Sequence, residues 1–146
     1  MKKFLEYARL MTIGAFIYGG LEVLGRGYSH ISMGVLGGLC FSVIHILNGE
    51  RRCGRQSFVS AVLISAFFIT ACELLTGEIL NRRLGMGIWN YRSLPLNFDG
   101  QICFIFSFIW VCISALGIGA DELARRTVFR ERFIESAESG STVEEV

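Results

Sequence analysis

Proline is almost missing from this sequence: Pro95 is the only one among 146 residues, so no long apolar run is interrupted by a ring without an N–H. Charge is scarce as well. Asp, Glu, Lys and Arg make up 18% of the chain against 52% hydrophobic residues, too few to cover a water-facing surface unless they cluster. No GxxxxGK[ST] loop occurs, which excludes nucleotide hydrolysis of the P-loop kind by this chain. No HExxH, GxSxG or close His/Cys set occurs either, so no catalytic motif, metal site or cofactor is expected. The five cysteines are odd in number and lack paired spacing, which argues against a disulfide framework and a CxxC metal site. Cys40, Cys72, Cys103 and Cys112 fall within or at the edge of apolar runs and read as small packing residues; Cys53 sits in an Arg-rich connection. The basic segments are short, unlike nucleic-acid sites.

What the chain does contain is long apolar runs. Phe4–Leu24, Ile31–Leu47, Phe58–Leu80 and Gln101–Ala120 are each near or above the roughly 20 helical residues that cross a bilayer core. The expected fold is therefore all-α, an integral membrane four-helix bundle filling residues 1–120, with no separate soluble domain. Lys2 and Lys3 precede a run too long for a signal-peptide core, and no Ala-x-Ala-like site follows it, so the first helix is expected to stay. Basic residues sort by side. Lys2, Lys3, Arg9, Arg51, Arg52, Arg55, Arg125, Arg126, Arg130 and Arg132 lie on one, and Arg26, Arg82, Arg83 and Arg92 on the other. The positive-inside rule places both termini in the cytoplasm. Asn48–Gly54 reads as a compact turn, and Asp99 as a cap for the last helix. Residues 121–137, with Leu123, Phe129 and Phe133 among alternating charges, read as a juxtamembrane helix. Residues 138–146, acidic and rich in Ser and Thr, read as a disordered tail.

Two acids stand inside these runs. Glu22 lies about 27 Å along the first run from Phe4, and Glu73 about 23 Å along the third from Phe58, which gives them similar depth on the outer side. Intramembrane carboxylates are costly and usually face a bundle interior or a watery cavity. Two facing each other do not both ionise easily, leaving a proton exchangeable for a cation. The bland alternative is that each reaches the interface or bonds a neighbouring helix end. His45 sits at the opposite end and reads as structural, and His30 is equally unspecific. The long connection Asn81–Gly100 carries Trp89, Asn90, Tyr91, Arg92, Asn97 and Asp99, with Gly85 and Gly87 as bending points. It can serve as an interfacial aromatic anchor or fold back over the bundle as a lid. Gly34, Gly37 and Gly38 place small residues on one helix face, suited to close helix contact within one chain or between two.

The groups Glu73-Leu-Leu-Thr-Gly77, Ile88-Trp-Asn-Tyr-Arg92 and Leu96-Asn-Phe-Asp-Gly-Gln-Ile-Cys103 resemble motifs of the ABC-transporter type IV permease family. These are small bacterial multi-span proteins with a glutamate in the first span and another in a later one, then Trp-Asp-Tyr-Ser and Asn-x-x-Gly-x-Ile-Cys. The matching positions are Glu22, Glu73, Gly77, Trp89, Tyr91, Asn97, Gly100, Ile102 and Cys103. Asn90 stands where the family has Asp, Arg92 where it has Ser and Ile88 where it has Trp, and a Pro-containing stretch near the second span is absent. Losing the acid at position 90 weakens a cation-binding role for the loop itself.

The resemblance implies a multi-pass protein of the bacterial cytoplasmic membrane, a permease-like component that moves or binds a small solute or cation. Its expected binding residues are Glu22, Glu73, Trp89, Asn90, Tyr91 and Asn97. Four helices leave little room for a path, which points to a homo-oligomer or other membrane subunits, and any ATP coupling to a separate ATPase subunit. The competing reading is a non-transporting assembly or regulatory subunit whose carboxylates are structural. An intramembrane enzyme finds no nucleophile or metal site to support it.

Overall fold

The computed structural model describes residues 2–129. Among them the chain forms four α-helices: α1 Lys2–Arg26, α2 Ile31–Arg52, α3 Phe58–Gly77 and α4 Phe104–Thr127. Three stretches, Ile31–Arg52, Phe58–Arg83 and Phe104–Thr127, are long and apolar enough to cross a membrane. α1 has 25 residues but carries Arg9 and Glu22 within its length. Four helices thus meet the expected length, and three meet the apolarity.

Several boundaries differ from those expected. α2 runs on through Arg52, so the segment read as a turn from Asn48 is helical and the chain reverses only after Cys53. Arg51 and Arg52 then lie in the last helical turn, where positive charge meets the unpaired carbonyls of the helix end. Ser57 starts α3, its side chain accepting from Ser60 N at 3.1 Å. α3 gives way to a wider π-helical turn, Glu78–Arg83. Gln101, expected inside the fourth helix, precedes it. Asn97–Phe98 (β1) pairs antiparallel with Ile102–Cys103 (β2), and α4 begins after Cys103. Asp99 is therefore no cap; it occupies the hairpin turn at φ 51° and accepts from Arg82 at 2.6 Å. α4 continues through Asp121 to Thr127, while the remainder of the expected juxtamembrane helix, from residue 130, and the acidic tail fall outside the described residues.

α2 is the centre of the bundle, touching α1, α3 and α4. Met33, Leu36, Cys40 and Ile44 of α2 meet Ala61, Val62, Ala66 and Ile69 of α3 and Trp110 and Ile118 of α4. Cys40 and Cys103 are buried as packing residues, whereas Cys53 and Cys112 are exposed. The most extensive interface is α1 on α2, made possible by glycine. A side chain at Gly37 would collide with Tyr18 Cβ and stand 2.7 Å from the Gly14 carbonyl, and one at Gly38 would stand 2.8 Å from the Met11 carbonyl. The small-residue face of α2 thus serves a contact within the chain, where close backbone approach replaces the hydrophobic drive that lipid does not supply. α1 and α4 make no comparable interface with each other, leaving a cleft between them.

Gly37→Leu is expected to destabilise the protein by about 1–3 kcal/mol through overpacking, read as a lowered melting temperature in lipid nanodiscs. Gly20→Ala, where an added side chain meets nothing within 4 Å, is expected to melt no lower than the parent, since alanine favours the helix by up to about 1 kcal/mol. Equal losses from both would contradict the packing account.

Candidate functional site

Glu73 lies near the end of α3 and is only 3% exposed. Its carboxylate accepts two hydrogen bonds, from Tyr91 Oη to Oε1 at 2.9 Å and from Trp110 Nε1 to Oε2 at 2.8 Å. Both donors are held from behind. Tyr91 stacks on Phe106 of α4 with ring centroids 4.6 Å apart, and its N–H bonds the Gly100 carbonyl at 2.8 Å. Trp110 stacks on Tyr18 of α1 at 5.7 Å. One carboxylate therefore ties α3 to the loop and to α4, and through Trp110 to α1. Burial, and the Glu73 charge beside it, push the Tyr91 phenol well above its usual range, so Tyr91 remains a donor at any ordinary pH. Among the described residues no cationic side chain pairs with Glu73: both donors are neutral.

The connection after α3 folds back over this end of the bundle. Gly85 and Gly87 take left-handed φ of 63° and 56°, a conformation glycine adopts without strain. Asn81, on the π-helical turn, then receives the returning chain. Its Oδ1 accepts from Ile88 N at 2.6 Å, and its Nδ2 donates to the Trp89 carbonyl and to Gln101 Oε1, each at 3.0 Å. Trp89 Nε1 donates to the Gln101 carbonyl at 2.9 Å. A side chain at Gly77 would strike Gln101 Oε1 and come within 3.1 Å of the Trp89 ring, so this glycine admits the loop against α3.

Beneath the loop lies a cavity of about 330 Å³, lined by Glu22, Glu73, Tyr18, Trp89, Tyr91 and Trp110 together with apolar residues of α1, α2 and α4. Glu22 is half-buried and accepts from Ser29 Oγ at 2.5 Å. The structure thus brings together Glu22, Glu73, Trp89 and Tyr91. Asn90 and Asn97 stand apart from the lining and brace the loop instead. Asn90 Oδ1 accepts from Arg92 N at 3.0 Å. Asn97 donates to the Leu94 carbonyl at 2.7 Å and accepts from Gly100 N at 3.1 Å. Tyr18 and Trp110 were not singled out from the sequence. Tyr18 sits one helical turn before Glu22 on the same face, which is the signal that could have found it.

A second polar cluster occupies the opposite end. His45 Nδ1 lies 2.6 Å from Asp121 Oδ1, and Asp121 Oδ2 accepts from Asn48 and from Arg125 Nε, each at 2.8 Å. Arg125 also donates to the His45 carbonyl at 2.6 Å. His45 Nε2 stands 3.4 Å from Glu6 Oε1 of α1. Asp121 and Asn48 are wholly buried. This arrangement gives His45 a buried partner, Asp121, a residue that the sequence pattern places at the membrane surface.

Asp121→Ala, which strands Arg125 and Asn48 without their shared acceptor, is expected to cost about 3–5 kcal/mol of stability. Tyr91→Phe, which removes one donor from Glu73, is expected to cost about 1–3 kcal/mol. Thermal melts of the variants in nanodiscs check both; a smaller loss for Asp121→Ala than for Tyr91→Phe would contradict the role given to the buried ionic cluster.

No curated protein and no solved structure matches this chain. A family model does match it over residues 12–131, a stretch that includes both carboxylates, the folded-back loop and the buried ionic cluster. With three helices long and apolar enough to span a bilayer, the chain is a transport-related membrane component and belongs to the family described as "Putative ABC-transporter type IV".

Proposed function

We propose that this chain is a permease-like integral membrane component that binds a small cationic solute in the cavity under the loop. The observation that carries this reading is the setting of Glu73. Its buried carboxylate is met only by neutral donors, and a buried negative charge without a countercharge is costly. A proton or a cation in the cavity supplies that charge, so a cation entering displaces a proton. Glu22, in the same lining, adds a second acid, and the rings of Tyr18, Trp89 and Trp110 line the same space, offering faces that attract cations, organic ammonium groups above all.

Movement of a solute calls for more than this bundle. In the proposed arrangement the chain works as a homo-oligomer or with other membrane subunits, and a separate ATPase subunit supplies any coupling to ATP, because the sequence has no phosphate-binding loop. The bias of Arg and Lys favours the His45–Asp121 end on the cytoplasmic side of a bacterial inner membrane, with the cavity facing outward. The chain binds and passes solute rather than transforming it.

A second reading draws on the same hydrogen bonds. Since Tyr91 and Trp110 already satisfy both oxygens of Glu73, the carboxylate can be a strut in a non-transporting assembly or regulatory subunit.

Titration of the purified protein in nanodiscs with tetramethylammonium, followed by tryptophan fluorescence, separates the two. Saturable binding is expected in the parent, weakened about tenfold or more in Glu22→Gln and Glu73→Gln while both variants stay folded and keep the parent's oligomeric size. If the parent shows no saturable response and the substitutions break up the assembly, the subunit reading takes its place.

A further inference from the structure

The cavity under the loop has an apolar neighbour. A second cavity of about 310 Å³ adjoins it and shares Tyr18, Leu21, Trp110 and Ile113 with it. This second space follows the cleft between α1 and α4, with Phe41 and Ile44 of α2 as its floor and Gly117 and Ala120 of α4 at its far end. Its character is the reverse of the first: among the described residues no charged side chain lines it, and its walls are aliphatic, aromatic, glycine and Cys40. Along α4, from Ile109 beside the first cavity to Ala120 at the far end of the second, the slot runs on the order of 16 Å at the rise of an α-helix.

Apart from the stacking of Trp110 on Tyr18, α1 and α4 have no extensive interface with each other, which leaves the slot open sideways. Ile17, Leu21 and Leu116 stand exposed on its rims. At its far end Ile44 and Ala120 in the lining are followed directly by His45 and Asp121, whose hydrogen bond, with those of the flanking Arg125 and Asn48, sets a buried ionic cluster next along both helices. The two adjoining spaces together have two carboxylates and aromatic faces at one end, the stacked rings of Tyr18 and Trp110 as their shared wall, and an apolar length beyond it that leads toward the buried ionic cluster. A small hydrophilic cation fills only the first of them.

We propose that the ligand is an amphiphile with an ammonium headgroup and a linear aliphatic chain, entering sideways between α1 and α4. The proposal rests on the cation-binding reading above and names its ligand class. The headgroup sits between Glu22 and Glu73 against Tyr18, Trp89 and Trp110. The chain lies along the slot over Phe41, Ile44 and Gly117. Charge selects the head, since only the first cavity is lined by acids; the apolar lining of the slot selects the tail.

The test compares dodecyltrimethylammonium, tetramethylammonium and the uncharged dodecyl maltoside on the full chain in phosphatidylcholine nanodiscs, parent against Gly117→Leu. Gly117 lines the slot, and a side chain there first meets the flexible end of Ile44, 2.9 Å away, so a leucine fills the slot at little cost to the fold. Ala120→Leu fills its far end and serves if Gly117→Leu does not fold. Partition into the bilayer is the same for parent and variant and cancels in their ratio. The expected result is that Gly117→Leu weakens dodecyltrimethylammonium about tenfold or more and leaves tetramethylammonium unchanged. Equal effects on the two ammonium ligands, or no effect on either, overturn the proposal while leaving the cation reading standing. Binding of dodecyl maltoside as tight as that of the ammonium ligand overturns it by showing a plain lipid cleft. A change of oligomeric size in Gly117→Leu without a change in affinity overturns it in favour of a second copy seated between α1 and α4. Absence of tetramethylammonium binding in the parent removes the cation reading and this proposal together.

Discussion

A carboxylate removed from water must be met by donors, and the two that meet Glu73 come from places far apart in the chain: Tyr91 in the loop and Trp110 in α4. Neither donor reaches Glu73 unless the chain between them has folded back and turned into α4 in the right register. The hairpin of Asn97–Phe98 with Ile102–Cys103, the hydrogen bonds of Asn81 and the close fit at Gly77 provide that register. The stacking of Trp110 on Tyr18 carries the same constraint to α1. The cavity is what remains inside this closed circuit.

At the other end of the bundle the buried anion is met by a cation, Arg125, as well as by a neutral donor, Asn48. Asp121, Arg125, His45 and Asn48 satisfy one another between α2 and α4, and a buried pair of this kind specifies register more than it adds stability. The contrast between the ends is physical. Where an anion is already neutralised by a buried cation, little is left for a ligand; where it is met by a phenol and an indole, its charge remains available. Between the two ends the core is largely aliphatic, and α1 is fixed to α2 through glycine contacts while meeting α4 chiefly through the Tyr18–Trp110 stack.

Much of this was legible in the sequence. Long apolar runs with few charges mark helices, and the depth of Glu22 and Glu73 along their runs anticipated that both would reach one level; they line one cavity. The aromatic loop could be located, but not which of its side chains turn inward. Asn90 and Asn97 look like ligands because amides bind solutes, yet in a loop without regular structure they complete backbone bonds. Asp121 was hidden for another reason. An acid just after an apolar run reads as the membrane surface, and only the packing of α4 on α2 shows that it faces His45 across a buried interface. The same logic misplaced the end of α2, where Asn48 and Gly49 resemble a turn but Asn48 is drawn inside by Asp121. Tyr18, an aromatic in an apolar helix, has no distinction in sequence apart from its spacing to Glu22.

The dependence of the cavity end on one carboxylate is most directly tested by hydrogen–deuterium exchange of the parent and Glu73→Ala in nanodiscs. The account predicts faster exchange for the amides of Ile88–Tyr91 and for the first turns of α4, with protection kept at His45–Asn48 and Ile118–Glu122, where the ionic cluster holds the bundle independently. Unchanged exchange in the loop, or equal loosening at both ends, would contradict it.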